Sequence, residues 1–347
     1  LKRLTGITGE GENMNEYELI KRYTAGERDF KGANLAEANL IGATLASVNL
    51  SGANLTEASL ARTDLSRSSL LETKLNGAFL YGADMSFIKL KGSNLIEADL
   101  TKADLRGAQL ANVDLTGAKL SGAILSWVSL YRANLAGVNL CGANLNSINL
   151  RSANLAGANL NWANLSGARL SGASLKGAQL NGVKLSRAFL NGLNLEGVNF
   201  SGLEMSEVKL NGAKLSGMNV AGADLTGAQL RLVSFENGNL KQADLHQSIL
   251  KGGHFNGANL MKTDLREADL RNADLSGANL NLANLAGADL SGANLQGAYL
   301  WGAELDGANF EGADLRGASL RDAAITGANW RNAIFDGVLM PDGRLCA

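Results

Sequence analysis

The sequence predicts an all-β solenoid, and three observations carry that prediction. From Phe30 to Met340 every fifth residue is large and apolar, sixty-three positions in a row with no insertion or deletion. The residue two before each of these centres is usually Ala, as in Ala33-Asn34-Leu35, Ala38-Asn39-Leu40 and Ala43-Thr44-Leu45. Gly recurs two after the centre, at Gly32, Gly52, Gly77 and Gly82 among others. A strict period kept over this length is the mark of a repeat architecture.

The period excludes the simpler folds. Residues five apart on an α-helix lie about 140° round the axis, so the Leu column would smear over every face. On a flat strand an odd period turns alternate centres outward. Within one unit, however, a small apolar residue, a polar residue and a large centre alternate as a strand does. The chain must therefore turn a corner in each unit while every centre points inward. Gly at the corner suits a turn that needs positive φ or close backbone approach. A single coil buries too little to fold alone, so stability is a nearest-neighbour property.

Taken in order, residues 1–13 are polar, contain Gly and lack the period. They are expected to be a disordered leader or an expression remnant upstream of a native start at Met14. Residues 14–29 form the entry. A short helix is predicted over Glu16 to Ala25, with Asn15 as N-cap, Glu18 at the capping-box position and Gly26 as the stop. Tyr17, Leu19, Ile20 and Tyr23 are its apolar residues, expected to cover the exposed edges and bare Leu at the solenoid's end.

The repeats occupy 30–340. Leu193, Val198, Leu203 and Val208 enlarge four consecutive small positions, which predicts a swollen or differently turned coil. Gly253 before Phe255 offsets volume, as constant density requires. Phe235 with Phe255, and Phe310 with Trp330, are twenty residues apart and are expected to stack. The tail, 341–347, opens with Pro341, the chain's only proline, which cannot donate a ladder bond and suits a stop.

The unit Ala223-Asp224-Leu225, repeated at Ala278-Asn279-Leu280 and Ala293-Asn294-Leu295, resembles the pentapeptide-repeat signature Ala-(Asp/Asn)-Leu-x-x. The resemblance covers about nine-tenths of the chain. It implies a right-handed quadrilateral β-helix with four units per coil, hence about sixteen coils and a rod on the order of 75 Å long at the usual strand spacing. The segment from Tyr17 to Tyr23 with Gly26 and Phe30, and the closing Met340-Pro341-Asp342-Gly343, resemble the ends of HetL-type cyanobacterial members. That implies regulatory protein–protein contact of the kind linked to heterocyst differentiation.

The search for chemistry is negative: no catalytic, metal-binding or cofactor-binding residues are assigned. His246 and His254 belong to opposite sides of a four-sided coil and cannot share a metal. Gly177-x-x-x-x-Gly182 is followed by Val183-Lys184 and by no helix, so it is not a phosphate loop. Asp264 with Glu267, and Glu304 with Asp306, are exposed pairs that solvate the surface, and a solid Leu core offers no cleft.

The net charge of −1 marks no nucleic-acid partner. No apolar run reaches membrane length. The first residues show no signal-peptide pattern. Cys141 and Cys346 fall too far apart along the rod for a disulfide. A cytoplasmic protein is expected.

Outward residues sort into four sides by position modulo twenty. Side A, with centres 30, 50 and onward, carries eleven basic and five acidic residues, net +6. From residue 89 to 251 it bears Lys89, Lys91, Arg132, Arg151, Arg169, Lys209, Arg231 and Lys251 and no acid. Side B, from centre 35, is −5; side C, from 40, is +3; side D, from 45, is −6. Side C also has the most apolar outward residues, among them Phe79, Tyr81, Cys141, Trp162, Met261, Leu282, Tyr299 and Trp301. Asn134, Asn139, Asn144, Asn149, Asn154, Asn159 and Asn164 precede seven successive centres, and their amides are expected to satisfy one another and the turns.

The plain reading of the charges is solubility. The sharper one is a binding stripe on side A and an aromatic contact patch of Phe79, Tyr81, Trp162, Tyr299 and Trp301 on side C. The leading expectation is a non-enzymatic rigid scaffold for an unidentified protein partner. The alternative is a DNA mimic that binds a type II topoisomerase (gyrase), as some members of the same family do; those are strongly acidic, whereas this chain has two basic sides. An ice-binding rod would need a regular Thr face, and Thr is sparse. The helix cap predicts a monomer, while the aromatic side permits a dimer.

Overall fold

A computed structural model of the chain describes residues 12–346, and the leader expected over residues 1–11 lies outside them. The chain divides into two compact units, Leu1–Leu180 and Asn181–Ala347. Both are built by the same rule. A bridge residue on each side pairs in parallel with the residue twenty positions on: Asn34 with Asn54 and Asn54 with Lys74 in the first unit, Glu204 with Asp224 and Asp224 with Asp244 in the second. Four five-residue sides therefore close one coil.

Three backbone hydrogen bonds recur in each side. The centre's N–H donates to the carbonyl nineteen residues later, as Leu55 to Lys74 at 2.7 Å. The N–H just before the centre donates to the carbonyl twenty-one residues earlier, as Asn54 to Ala33 at 2.9 Å. The corner closes when the next small residue donates back to the centre's carbonyl, as Ala58 to Leu55 at 3.1 Å. The turn's third residue takes positive φ: +67° at Gly32 and +70° at Gly52, but also +57° at Glu57. The Asn or Asp before a centre accepts from the N–H two residues on. Asn94 Oδ1 takes the Ile96 N–H at 3.1 Å and Asp224 Oδ1 that of Thr226 at 3.0 Å. This side-chain turn is why short amides and carboxylates dominate that position.

The centres and the small residues fill the interior. Every centre from Phe30 to Leu320 is buried, whereas Ile325, Trp330, Phe335 and Met340 are partly exposed. Where Thr replaces Ala inside, the hydroxyl donates to a carbonyl twenty-three residues back: Thr63 to Leu40 at 2.7 Å, Thr73 to Leu50 and Thr263 to Leu240 at 2.9 Å, whereas Ser248 donates within its own coil to Leu245 at 2.6 Å. Each buried hydroxyl thus finds a backbone carbonyl, for these threonines in the adjacent coil.

Volume is exchanged as expected. Phe235 and Phe255 stack at 5.9 Å and Phe310 and Trp330 at 4.4 Å. A Cβ on Gly253 would stand 2.6 Å from Phe255, and one on Gly238 2.2 Å from Phe235. The coil with Leu193, Val198, Leu203 and Val208 is not differently turned. Gly192, Gly197 and Gly202 hold φ of +68°, +73° and +67°, and Leu195 and Phe200 still donate to Lys214 and Asn219 at 2.9 and 2.8 Å. Partial exposure of Val198 relieves the added volume instead.

Both ends differ from expectation in detail. The helix α1 spans Glu16–Thr24, and Asn15 accepts from the Glu18 N–H at 2.9 Å. Gly26, at φ +99°, follows its C-cap. Leu19 is fully buried and the Tyr23 hydroxyl donates to the Ala46 carbonyl at 2.9 Å, but Tyr17 and Ile20 face solvent. The chain ahead of Met14 is not all leader. Asn13 bridges to Asn34, and the Asn34 N–H donates to the Glu12 carbonyl at 2.9 Å. At the other end Pro341 does not simply stop the ladder. Its carbonyl accepts from the Asp322 N–H at 3.1 Å, and β1 (Val338–Leu339) pairs antiparallel with β2 (Leu345–Cys346).

Candidate interaction surfaces

Side A presents its cations outward in each unit. In the first, Lys89, Lys91, Arg132, Arg151 and Arg169 are exposed; in the second, Arg231 and Lys251 are exposed and Lys209 half-buried. Three of them contact uncharged groups, while Lys251 lies near enough to Asp269 to help lower its carboxyl. Arg132 lies 5.1 Å from the Tyr131 ring centre, Lys209 4.4 Å from that of Phe189, and Arg151 Nε donates to Asn149 Oδ1 at 3.1 Å. Such contacts hold the side chains flat without removing charge.

Elsewhere Arg sits two residues after Asp and grips it. Arg271 donates twice to Asp269 at 2.7 Å, and Arg316 to Asp314 at 3.0 and 2.6 Å. Arg106 with Asp104 and Arg266 with Asp264 repeat the fork on side D. The hydrogen bond from Arg holds each of these four carboxyls below the usual Asp range, against the opposing effect of burial.

The side C aromatics fall into separate places. In the first unit Phe79 and Tyr81 stack at 6.2 Å across Leu80, with the Lys102 ammonium 5.8 Å from the Tyr81 ring. In the second unit Tyr299 and Trp301 flank Leu300 without a shared ring contact among the described residues. The Trp301 indole N–H instead donates to Asp322 at 2.9 Å. Trp162 stands apart from both pairs, 70% exposed.

Two further exposed aromatics lie on side D. Phe87 and Trp127 occupy corners of side D, at φ of +57° and +65°. Trp127 is 75% exposed. The signal was present in the sequence as large apolar residues where the repeat prefers Gly.

On side D of the second unit, Glu204, Asp224, Asp244 and Asp264 stand one coil apart in a single bridged column. Lys184 approaches Glu204 at 3.2 Å. His246 lies beside this column and His254 belongs to side B. Among the described residues no group of His, Cys, Asp and Glu could hold a metal ion. The Asn ladder satisfies the turns as expected: Asn139, Asn144, Asn159 and Asn164 each accept from the N–H two residues on, at 3.0–3.2 Å. Amide-to-amide bonding appears on side B, where Asn154 donates to Asn134 at 3.0 Å.

A twenty-residue coil with an apolar interior and a patterned exterior defines a repeat solenoid. The pattern for pentapeptide repeats matches residues 29–60, 49–86, 88–126, 133–172, 163–202, 204–242, 239–277, 263–302, 283–322 and 313–338. The chain belongs to the pentapeptide-repeat family, whose members fold as right-handed quadrilateral β-helices.

It is 30% identical to HetL, a pentapeptide repeat protein involved in heterocyst differentiation regulation from the cyanobacterium Nostoc sp. strain PCC 7120. That match covers 96% of this chain and 100% of that one, with a TM-score of 0.16. A second pentapeptide repeat protein from Nostoc PCC 7120 is 41% identical over 22% of this chain and 62% of its own, TM-score 0.21. QnrB1, a plasmid-mediated fluoroquinolone resistance protein, is 18% identical over 56% of this chain and 92% of its own, TM-score 0.28. No curated protein matches. No helix among the described residues is long and apolar enough to cross a membrane.

Proposed function

We propose that the protein is a non-enzymatic, rigid scaffold that binds an acidic protein partner along side A, with a regulatory role. One observation carries the reading. Between residues 89 and 251 side A has eight basic outward residues and no acid, and Arg132, Arg151 and Lys209 contact uncharged groups. A concentration of one sign of charge acts mainly on encounter rate and partner choice. The stacked pair Phe79–Tyr81 and the pair Tyr299 and Trp301 supply apolar anchors on side C. The helix α1 is read as a lid over the first coil, which leaves the sides as the contact surfaces. A cytoplasmic location fits the two free thiols, Cys141 and Cys346.

The test is capture from a cyanobacterial lysate by the wild-type chain and by a variant with Arg132→Glu, Arg151→Glu and Arg169→Glu. A partner retained by the former and lost by the latter, with matching circular dichroism, is the expected result. Equal capture at low and high salt sinks the reading. The acidic column from Glu204 to Asp264 favours a second one, a DNA mimic for a type II topoisomerase; inhibition or protection of gyrase supercoiling by the purified chain would establish it.

A further inference from the structure

Trp127 and Trp162 are costly to keep where they are. Both sit at corners where the repeat prefers Gly, at φ of +65° and +61°, a conformation bulky L-residues rarely adopt. Other large apolar residues at such corners recover contact by folding over the next coil. A Cβ on Gly107 would meet Phe87 at 2.6 Å, and one on Gly252 would meet Leu232 at 2.9 Å. The two indoles recover little, since they remain 75% and 70% exposed. Among the described residues neither ring stacks and neither indole nitrogen donates a hydrogen bond.

Both lie in the first unit, and they border the same face. Trp127 closes side D after Leu125, its N–H donating to the Asn146 carbonyl at 3.0 Å. Trp162 is the corner that leads into side D at Asn164. The corner above it, Gly142, leads into Asn144 and donates to the Asn161 carbonyl at 2.9 Å. Between the two corners lie Ser126, Asn144, Asn146, Ser147, Asn164 and Ser166. This strip bears no charge, and Ile124 is its one apolar outward residue.

The strip is also oriented. Asn144 Oδ1 is held by the Asn146 N–H at 3.2 Å and Asn164 Oδ1 by the Ser166 N–H at 3.0 Å. The two amide nitrogens therefore point away from the turns. Unlike the amide of Asn154 on side B, they have no acceptor among the described residues. From corner to corner the span is on the order of 13 Å, from almost two coil spacings of ~4.8 Å and one side of ~10 Å. That is the length of a short oligosaccharide rather than of one sugar.

We infer that this face binds a neutral glycan chain. A pyranose ring offers a flat C–H face to an indole and hydroxyls that both donate and accept. Two separated indoles bordering an uncharged amide and hydroxyl strip match that alternation. A protein contact would gather its aromatics at the centre of a patch and put the polar groups at the rim. Here the arrangement is inverted, with aromatics at the edges and amides in the middle. Ladder bonds tie the coils beneath to one another, as Leu125 to Asn144 and Leu145 to Asn164 at 2.8 Å, so little ordering opposes a weak, solvated ligand.

The test is calorimetry and tryptophan fluorescence of the full-length chain with cellohexaose, xylohexaose, laminarihexaose and maltohexaose. At least one is expected to bind and to shift the emission, with no loss at about 0.5 M NaCl, since no charge is involved. Trp127→Gly and Trp162→Gly each weaken binding roughly tenfold or more, and the pair abolishes it. Glycine suits both corners, so neither variant is lost to misfolding, and circular dichroism checks this. Binding of none of the four hexasaccharides overturns the inference, as does binding that both glycine variants retain. Loss of a protein partner in those variants, with no sugar bound by wild type, assigns the face to a polypeptide instead.

Discussion

Asn149-Leu150-Arg151 in the first unit and Asp269-Leu270-Arg271 in the second occupy the same side and the same positions of the repeat. They differ outwardly by one atom type. Arg151 donates through Nε to a neutral amide oxygen at 3.1 Å, while Arg271 closes a two-bond fork on a carboxylate at 2.7 Å. The first site keeps a full positive charge on the surface. The second spends it in place, and Asp289 draws on the same Arg at 3.8 Å. The lesson is that the residue before the centre decides what the residue after it can offer a partner. On side A, Arg132, Arg151 and Arg231 lie in units whose centre is preceded by Ser129, Asn149 and Gln229, whereas Lys31 and Arg271 lie in units preceded by Asp29 and Asp269 and pair with them.

That comparison assumes an interior indifferent to the surface, and the largest predicted effect tests this. Leu150→Ala and Leu270→Ala remove equivalent buried centres and should each cost about 2–5 kcal/mol. Urea denaturation should find the two losses alike, since neither depends on the charge above it. A loss confined to one unit would tie the surface difference to packing.

Exchange of the outer residue comes next. Asn149→Asp should fork Arg151 and weaken side A's capture of an acidic partner, and Asp269→Asn should release Arg271. Affinity at low salt should fall with the first change and rise with the second, by a few-fold each. Opposite or null shifts would break the comparison.

A smaller effect follows from pH. The Arg271 hydrogen bond lowers the Asp269 carboxyl below its ordinary range. A carboxyl depressed on folding contributes stability above its unfolded pKa, about 3.9, and loses it as pH falls through the lower folded value. The partly exposed pair is worth at most about 1 kcal/mol. Denaturation midpoints below pH 4 should decline more steeply for wild type than for Asp269→Asn, while Asn149→Ala should leave that slope unchanged.

The smallest effect concerns the corners. Leu232→Gly in the second unit and Trp127→Gly in the first both relieve positive φ and should raise stability by a few tenths of a kcal/mol, net of the flexibility Gly adds to the unfolded chain. Trp127→Gly should gain more than Leu232→Gly, because Leu232 gives up its contact over Gly252 and the exposed indole gives up little. Thermal denaturation of the two variants ranks them.

The fold was legible because its cause is periodic. Phe30 to Met340 report the coil directly, and the stacking of Phe235 on Phe255 follows from a separation of twenty. The surface was legible only as sums. Counting Arg271 as a free cation on side A misses its fork with Asp269, since a charge total carries no geometry. The modulo-twenty pattern puts Trp162 on side C and Trp127 on side D, but both are corner residues that border two sides at once, so the pattern hides that they flank one face. The closing hairpin of Val338–Leu339 with Leu345–Cys346 rests on two-residue strands, shorter than any alternation can reveal.

The twenty-residue step between bridged neighbours also sets a rule of phase. Deleting twenty residues from within the first unit, for example 94–113, removes one coil and leaves every later residue of that unit on its own side. Deleting five turns the rest of that unit by a quarter. Arg132 and Arg151 would then continue the line of side D rather than side A, with each Leu still inward and each hydrogen bond still available. The core would accept such a change while the outside became a different surface. The chain can thus be edited in length and in orientation by separate moves, and only edits in multiples of twenty preserve what a partner would read.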